Sequence, residues 1–173
     1  MQLSTLALCA IASLPLVAAA DSRQATRFTS ETTPLYPSKQ CKTVTPAGDD
    51  GGDPALRCPA KRGYQVDVGF SAWATHVELT GPSTRVSFEG YVGKHIEWRL
   101  ADGKPFAVIV SVDAQGPDED GNTDPKATRL QVRGINGLKL DTEVAAHAKD
   151  AIKTAQDLAD GAYRAQAKPG LRK

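Results

Sequence analysis

Apolar and polar residues alternate strictly along much of the stretch between Gly63 and Leu140, and this alternation constrains the fold more than any other feature. Successive side chains of a β-strand point to opposite faces, so a period of two is typical of strands with one packed face and one polar face. The pattern therefore predicts a mainly β domain. The apolar positions of these runs are Val66, Val68 and Phe70; Trp73, Thr75, Val77 and Leu79; Val86 and Phe88; Ile96, Trp98 and Leu100; and Leu130 and Val132.

One run, Phe106 to Val110, is continuously apolar and predicts a central strand that is buried on both faces. From Asp141 onward the apolar residues fall at helical spacing, which predicts an amphipathic helix with Asp141 or Thr142 as its N-cap. We expect this helix to cover the second face of the central strand. The alternative is a helix that docks on a partner or a membrane, and the mixed charges of its polar side disfavour a membrane.

Turn-forming residues separate the runs. Asp-Gly and Asn-Gly pairs adopt the positive φ angles of tight hairpins, and short connections place successive strands side by side and antiparallel. The predicted fold class is therefore mainly β (α+β), an antiparallel meander that forms a bent sheet or a small barrel, with one C-terminal helix. The separating segments are Gly81-Pro82-Ser83, Gly90 with Gly93, Asp102-Gly103 and Asn136-Gly137.

Residues 1–20 have the character of a signal peptide, because the stretch from Leu3 is uncharged and apolar and ends in Ala18-Ala19-Ala20. A permanent membrane anchor is the alternative, which borderline length and Pro15 disfavour. We expect export to the periplasm or the exterior. For the rest of the chain we expect a flexible lead-in over 21–40, one domain over 41–166 and a tail over 167–173.

Cleavage after Ala20 leaves two cysteines, Cys41 and Cys58, in the exported chain. An isolated pair in an oxidising compartment predicts a disulfide. A zinc site would need two further ligands, and the sequence has no C-x-x-C motif or close histidine pair to supply them.

The charge balance disfavours nucleic acid as a partner, since 21 basic residues face 20 acidic ones and the net charge is +1. The sequence has no G-x-S-x-G motif, the motif that would indicate a serine hydrolase. We expect a non-enzymatic binding or inhibitor-type protein of the cell envelope or exterior. We also expect it to be a monomer, to need no cofactor and not to associate with the membrane after cleavage. Its partner would be a protein or an envelope glycan, bound by the charged polar side of the strands. The residues of this predicted face are Asp67, His76, Glu78, Arg85, Glu89, His95, Glu97, Arg99, Arg129 and Arg133.

Two other functions are compatible with the sequence. If the strands pair in a suitable register, His76, Glu78, His95 and Glu97 would cluster and could bind a metal or transfer protons in a small enzyme. A small-ligand carrier would instead use an apolar barrel interior. Its lining would include Trp73, Trp98 and Phe88.

The acidic loop near residue 120 is a weaker candidate for calcium binding, through Asp118, Asp120, Asn122 and Asp124. When Asp118 and Asp120 are aligned to the third and fifth positions of an EF-hand loop, Ala127 falls where a bidentate glutamate belongs. A solvated acidic loop is therefore the favoured interpretation.

Four segments between residues 41 and 112 resemble a set found in small exported proteins of proteobacteria that have no assigned activity. The resemblance implies a periplasmic or secreted β domain and carries over no functional residue. The architecture is also similar to that of bacterial lysozyme inhibitors, although no inhibitory motif matches. The segments are Cys41 with Cys58-Pro59, Gly63-Tyr64-Gln65-Val66, Glu97-Trp98-Arg99-Leu100 and Lys104-Pro105-Phe106-Ala107.

Overall fold

The computed structural model describes residues 25–36, 39–45, 54–59, 63–71, 74–120 and 124–167. The predicted signal peptide, Trp73, Asn122 and residues 168–173 of the predicted tail lie outside the described residues. The described residues form nine strands and one helix. These are β1 (Phe28–Pro34), β2 (Lys42–Thr45), β3 (Ala55–Cys58), β4 (Gln65–Phe70), β5 (Thr75–Gly81), β6 (Thr84–Ala101), β7 (Lys104–Asp113), β8 (Thr128–Gly134), β9 (Asp141–Ala145) and α1 (Ala151–Ala167).

The strands β2 to β9 pair in chain order, each antiparallel to the next, which confirms the predicted meander. The 18-residue strand β6 is long enough to pair with two strands on one side. Its first half pairs with β5 and its second half pairs with β1. Within the described part of the chain, β2 and β9 are the ends of the pairing order, so the sheet is not closed into a barrel. The sheet bends, because Tyr64 beside β4 contacts Trp98 of β6, a strand that does not pair with β4.

The bent sheet encloses a first core on its inner face, which we define as the face that carries Val66, Val108 and Trp98. The ring centroids of Tyr64 and Trp98 are 5.3 Å apart, and this contact joins the two halves of the sheet. Trp98 is 1% exposed, and its indole N–H donates a hydrogen bond to Thr33 Oγ1 over 2.9 Å. The first core is thus a filled interior with its polar group satisfied.

A second core lies on the outer face of β7 and β8, under the helix. Small residues on α1, Ala151, Ala155 and Ala159, pack against the apolar side chains of these strands. None of the five residues from Phe106 to Val110 is more than 4% exposed. The predicted central strand, buried on both faces and covered by the C-terminal helix, is confirmed.

The predicted start of the helix is wrong, because Asp141–Ala145 form strand β9 and α1 begins at Ala151. Val144 pairs with Leu130 of β8, so backbone pairing to a neighbouring strand overrides the local helical spacing. Asp150, with a φ of 57°, marks the change of direction before the helix.

The predicted flexible lead-in is also wrong for part of its length, because Phe28–Pro34 form β1 and pair antiparallel with β6. The ring of Phe28 packs edge-on against Phe106 and Tyr163, at centroid distances of 5.7 and 5.8 Å. The strand gains its order from these tertiary contacts, which its threonine-rich sequence does not reveal.

Three of the predicted turns are confirmed, including Gly81-Pro82-Ser83 between β5 and β6, and the fourth predicted break is not. Asp102-Gly103 and Asn136-Gly137 have the positive φ angles that tight turns require. By contrast, β6 runs through Gly90 and Gly93 without a turn, with a register shift between Val92 and Ile96. Gly90 has a φ of 124°, and a Cβ there would lie 2.9 Å from the carbonyl oxygen of Asp113. The glycine therefore lets two strands approach closely and does not end one.

Cys41 and Cys58 form the predicted disulfide, which ties the residue before β2 to the last residue of β3. Both sulfurs are therefore unavailable for zinc. The bond fits an oxidising compartment outside the cytoplasm. In the part of the chain that the structure describes, no helix combines the length and apolar character needed to cross a bilayer.

Candidate binding face

The helix packs mainly on β7, β8, β9 and the second half of β6, and Tyr163 also contacts Phe28 of β1. Among the described residues, this leaves the outer face of β3, β4, β5 and β6 up to Gly90 without the helix above it. We call this surface the open face. Cross-strand neighbours share a face of a sheet, so the pairing register arranges its side chains in rows. One row is Arg57, Asp67, Glu78 and Ser87, and the next is Ala55, Gly69, His76 and Glu89.

Ion pairs connect the charged residues of the open face. Arg57 Nε lies 2.8 Å from Asp67 Oδ1, and Arg85 Nη2 lies 2.6 Å from Glu78 Oε2. The hydrogen bond from Arg85 lowers the pKa of Glu78 below its ordinary value, and the same bond raises the pKa of Arg85. Both charges of the Arg85–Glu78 pair therefore persist at neutral pH. The open face carries acidic and basic side chains in fixed positions.

A cavity of about 440 Å³, which we call the trough, opens at the end of the open face beside His76 and Glu89. It exists because its floor includes the two smallest residues of its row, Ala55 and Gly69. A Cβ built on Gly69 would find its nearest neighbouring atom, the Cβ of His76, 4.0 Å away. The missing side chain of Gly69 therefore leaves open space above the sheet.

The imidazole of His76 and the carboxylate of Glu89 form the polar wall of the trough. His76 Nδ1 lies 3.7 Å from Glu89 Oε1, which is beyond hydrogen-bond distance. Their side chains are 45% and 79% exposed, so both reach solvent. Together they offer a ring nitrogen and two acceptor oxygens to a ligand that carries hydroxyl or amide groups.

The structure brings together five residues of the predicted face, all of them on the open face. These are Asp67, His76, Glu78, Arg85 and Glu89.

His95, Glu97 and Arg99 lie further along the same side of β6, where the helix changes their role. Glu97 Oε1 accepts hydrogen bonds from Gln156 Nε2 at 2.6 Å and from Ser30 Oγ at 2.5 Å. His95 is exposed, but it pairs with Pro34 of β1 at the far end of that strand. This part of the sheet binds its own helix and N-terminal strand.

Arg99 is a buried structural residue, contrary to its predicted place on the binding face. Its side chain is 8% exposed and that of Asp160 on α1 is 10% exposed. Arg99 Nη2 lies 2.8 and 2.7 Å from the two carboxylate oxygens of Asp160, and Nε lies 3.1 Å from one of them. Nη1 donates a hydrogen bond to Ser30 Oγ over 2.6 Å. Arg99 is buried because α1 lies over this part of β6. No local sequence pattern predicts that position of the helix.

Arg129 and Arg133 lie on the opposite side of the sheet from the open face. They pair with Val112 and Val108, and both valines belong to the first core on the inner face. Arg133 forms an ion pair with Asp141, at the end of the pairing order. The polar side of β8 is therefore the inner side, because its apolar residues face the helix.

The histidine–carboxylate cluster does not form. His76 pairs with Glu89 and Glu78 pairs with Ser87, so the register separates both from His95 and Glu97. Among the described residues no group of three or more His, Cys, Asp or Glu could hold a metal ion. The proposed carrier lining is likewise absent at its described positions, since Trp98 and Phe88 are core residues that are each 1% exposed.

Two carboxylates of the acidic loop accept hydrogen bonds from backbone amides. Asp118 Oδ1 accepts from the amide of Asp120 at 3.1 Å, and Asp124 Oδ1 accepts from that of Lys126 at 2.8 Å. Such local turns are the usual role of aspartate in loops. With Asn122 outside the described residues, calcium binding here stays a prediction.

The chain matches no family model, no curated protein and no solved structure. The fold and the open face therefore define it as a disulfide-tied, mainly β protein with one helix. The resemblance to small exported proteins and to lysozyme inhibitors stays a prediction.

Proposed function

We propose that this protein is a non-enzymatic binding or inhibitor-type protein of the cell envelope or exterior. It binds a protein or glycan partner through the open face and the trough. One observation supports this most directly: α1 packs on the outer face of one half of the sheet, while no described element covers the charged outer face of the other half. Export is part of the proposal and rests on the pattern of residues 1–20 together with the disulfide.

The energetics of the open face favour recognition over stability. Exposed ion pairs such as Arg85 with Glu78 contribute only about 0–1 kcal/mol to folding. Complementary charge patterns across an interface, however, increase association rates and exclude wrong partners. A face that carries two ion pairs and a concave trough is therefore better explained by a partner than by the stability of the sheet.

The experiment maps contacts with a photo-crosslinker attached to a cysteine introduced on the open face, Ser87→Cys. The matched label is Asp157→Cys, on the exposed side of α1. Both labelled proteins, with the native disulfide intact, are irradiated in envelope extract from the source cells and on immobilised envelope glycans. We expect a discrete adduct from position 87 and none from position 157.

A second pair of variants tests the trough itself. Gly69→Val fills it with a side chain that suits a strand, and Gly161→Ala is the control, because it adds a methyl group to open space on α1. The adduct should disappear with the first variant and persist with the second. Equal adducts from both labels, no adduct in any extract or glycan, or an adduct that survives the filled trough would contradict the proposal.

An enzyme would behave differently from a binding protein. Turnover in a broad hydrolase screen that is lost in His76→Ala, with the fold intact by circular dichroism, would replace this proposal by the enzymatic alternative.

A further inference from the structure

A second cavity, of about 340 Å³, lies where three elements meet, and none of its lining residues belongs to the open face. The β6–β7 hairpin supplies Lys104 and Phe106, the connection from β8 to β9 supplies Leu138, and the last turns of α1 supply Tyr163. Its volume lies within the range of about 300–1,000 Å³ that is typical of small-molecule sites.

Hydrogen bonds hold the frame of this cavity in place. Gln166 Oε1 accepts from the amide of Lys139 at 3.2 Å, and its Nε2 donates to the carbonyl of Gly137 at 3.0 Å. Asn136 Nδ2 donates to the carbonyl of Pro105 at 2.8 Å. The two side-chain amides that line the cavity are thus occupied by the protein, and they fix the helix end against the turn.

The walls are apolar and the remaining polar groups are few. Phe106 is 4% exposed and Leu138 8%, and the ring of Tyr163 packs on Phe106 at a centroid distance of 4.7 Å. Within the part of the chain that the structure describes, the ammonium of Lys104 and the hydroxyl of Tyr163 have no hydrogen-bond or ion-pair partner, and no acidic residue lines the cavity. The lining of this cavity therefore contains one lysine and one tyrosine whose polar groups have no described partner, among mostly apolar side chains.

We propose that this cavity binds a small carboxylic acid with an apolar body. The carboxylate is held by the Lys104 ammonium and by a hydrogen bond from the Tyr163 hydroxyl, and the apolar body packs on Phe106 and Leu138. A charge-assisted hydrogen bond is stronger than a neutral one, so the acid should bind better than the matching alcohol. At roughly 30 Å³ per water, the volume corresponds to about eleven water molecules, which suits an acid of about ten heavy atoms.

The experiment compares three eight-carbon probes by isothermal titration calorimetry on the full protein: octanoate, 1-octanol and octylammonium. We expect octanoate to bind most tightly and octylammonium least. Lys104→Ala should weaken octanoate about tenfold, a loss of about 1.4 kcal/mol, and leave 1-octanol unchanged. Lys94→Ala is the matched control, an exposed lysine in β6 that does not line the cavity.

Further variants measure how much each polar group contributes to octanoate binding and show which of the two cavities binds the probes. Tyr163→Phe keeps the packing and should weaken octanoate several-fold, while Ala167→Trp fills the cavity from an exposed position and should abolish binding of all three probes. Gly69→Val should change nothing, which distinguishes this site from the trough. No binding of octanoate, equal affinity for octanoate and octylammonium, or an unchanged affinity in Lys104→Ala would overturn the proposal.

Discussion

The buried ion pair between Arg99 and Asp160 should dominate the attachment of α1 to the sheet. Both side chains are about nine-tenths buried, and three nitrogen–oxygen contacts of 2.7 to 3.1 Å join them. Asp160→Ala removes all three contacts and leaves the guanidinium with Ser30 as its described side-chain partner. The charge would then remain in a site that solvent hardly reaches.

The expected magnitude follows from that geometry. Breaking a buried pair by removing one partner costs about 3–5 kcal/mol, since the remaining charge is desolvated without compensation. Replacing both partners by apolar residues of similar size is often neutral or stabilising, because neither charge is then desolvated. We therefore expect Asp160→Ala to lose about 3–5 kcal/mol, and the double variant Arg99→Met with Asp160→Leu to be clearly more stable than Asp160→Ala alone.

Urea unfolding followed by circular dichroism measures these differences, with the slope of the transition checked for each variant. Lys153→Ala is the control, because it breaks the exposed i,i+4 pair with Asp157 and should cost only about 0.3–0.5 kcal/mol. A loss below about 1 kcal/mol in Asp160→Ala, or a double variant no more stable than Asp160→Ala, would refute the reasoning.

Three further outcomes are expected. Cys41→Ala with Cys58→Ala should lower the free energy of unfolding by about 3 kcal/mol in the chain-entropy model, measured against the oxidised protein in urea, and no difference would contradict it. The free energy that Arg85 adds through Glu78 is present above the ordinary glutamate pKa of 4.5 and is lost as the pH falls through the lowered pKa. Arg85→Gln should accordingly be less stable at pH 6 to 8, and its difference from the unchanged protein should shrink below pH 4.5; a difference that grows in acid would refute this. Thr33→Val leaves the indole N–H of the core tryptophan without its acceptor and should cost about 1–3 kcal/mol in thermal or urea unfolding, so a neutral effect would mean that this bond contributes nothing.

Part of the open face was predictable because it depends on neighbouring strands alone. His76 and Glu78 lie two residues apart on one strand, and a short hairpin brings Arg85 and Glu89 beside them. Parity and a tight turn therefore suffice to place these four residues on one face. The trough had a weaker signal, since a glycine such as Gly69 inside a strand often marks open space or a close approach.

The second cavity had no such signal. Lys104 and Tyr163 are 59 positions apart in the chain. In the sequence, Lys104 has the pattern of an ordinary surface residue and Tyr163 that of an ordinary helix residue. They share a cavity only because α1 ends beside the β6–β7 hairpin.

The features that could be predicted from the residues alone are local: the alternating strands, the hairpins at Asp102-Gly103 and Asn136-Gly137, the doubly buried central strand and the disulfide. Each follows from side-chain periodicity, backbone preference or the pairing of two cysteines, all of which act over short stretches or on residue identity alone. The tertiary structure alone decided that β1 and β9 are strands, that Arg99 is buried, and that Arg129 and Arg133 face away from the open face. These outcomes depend on which distant surface each element covers, and that is set by the packing free energy of the whole chain, not by any segment of it.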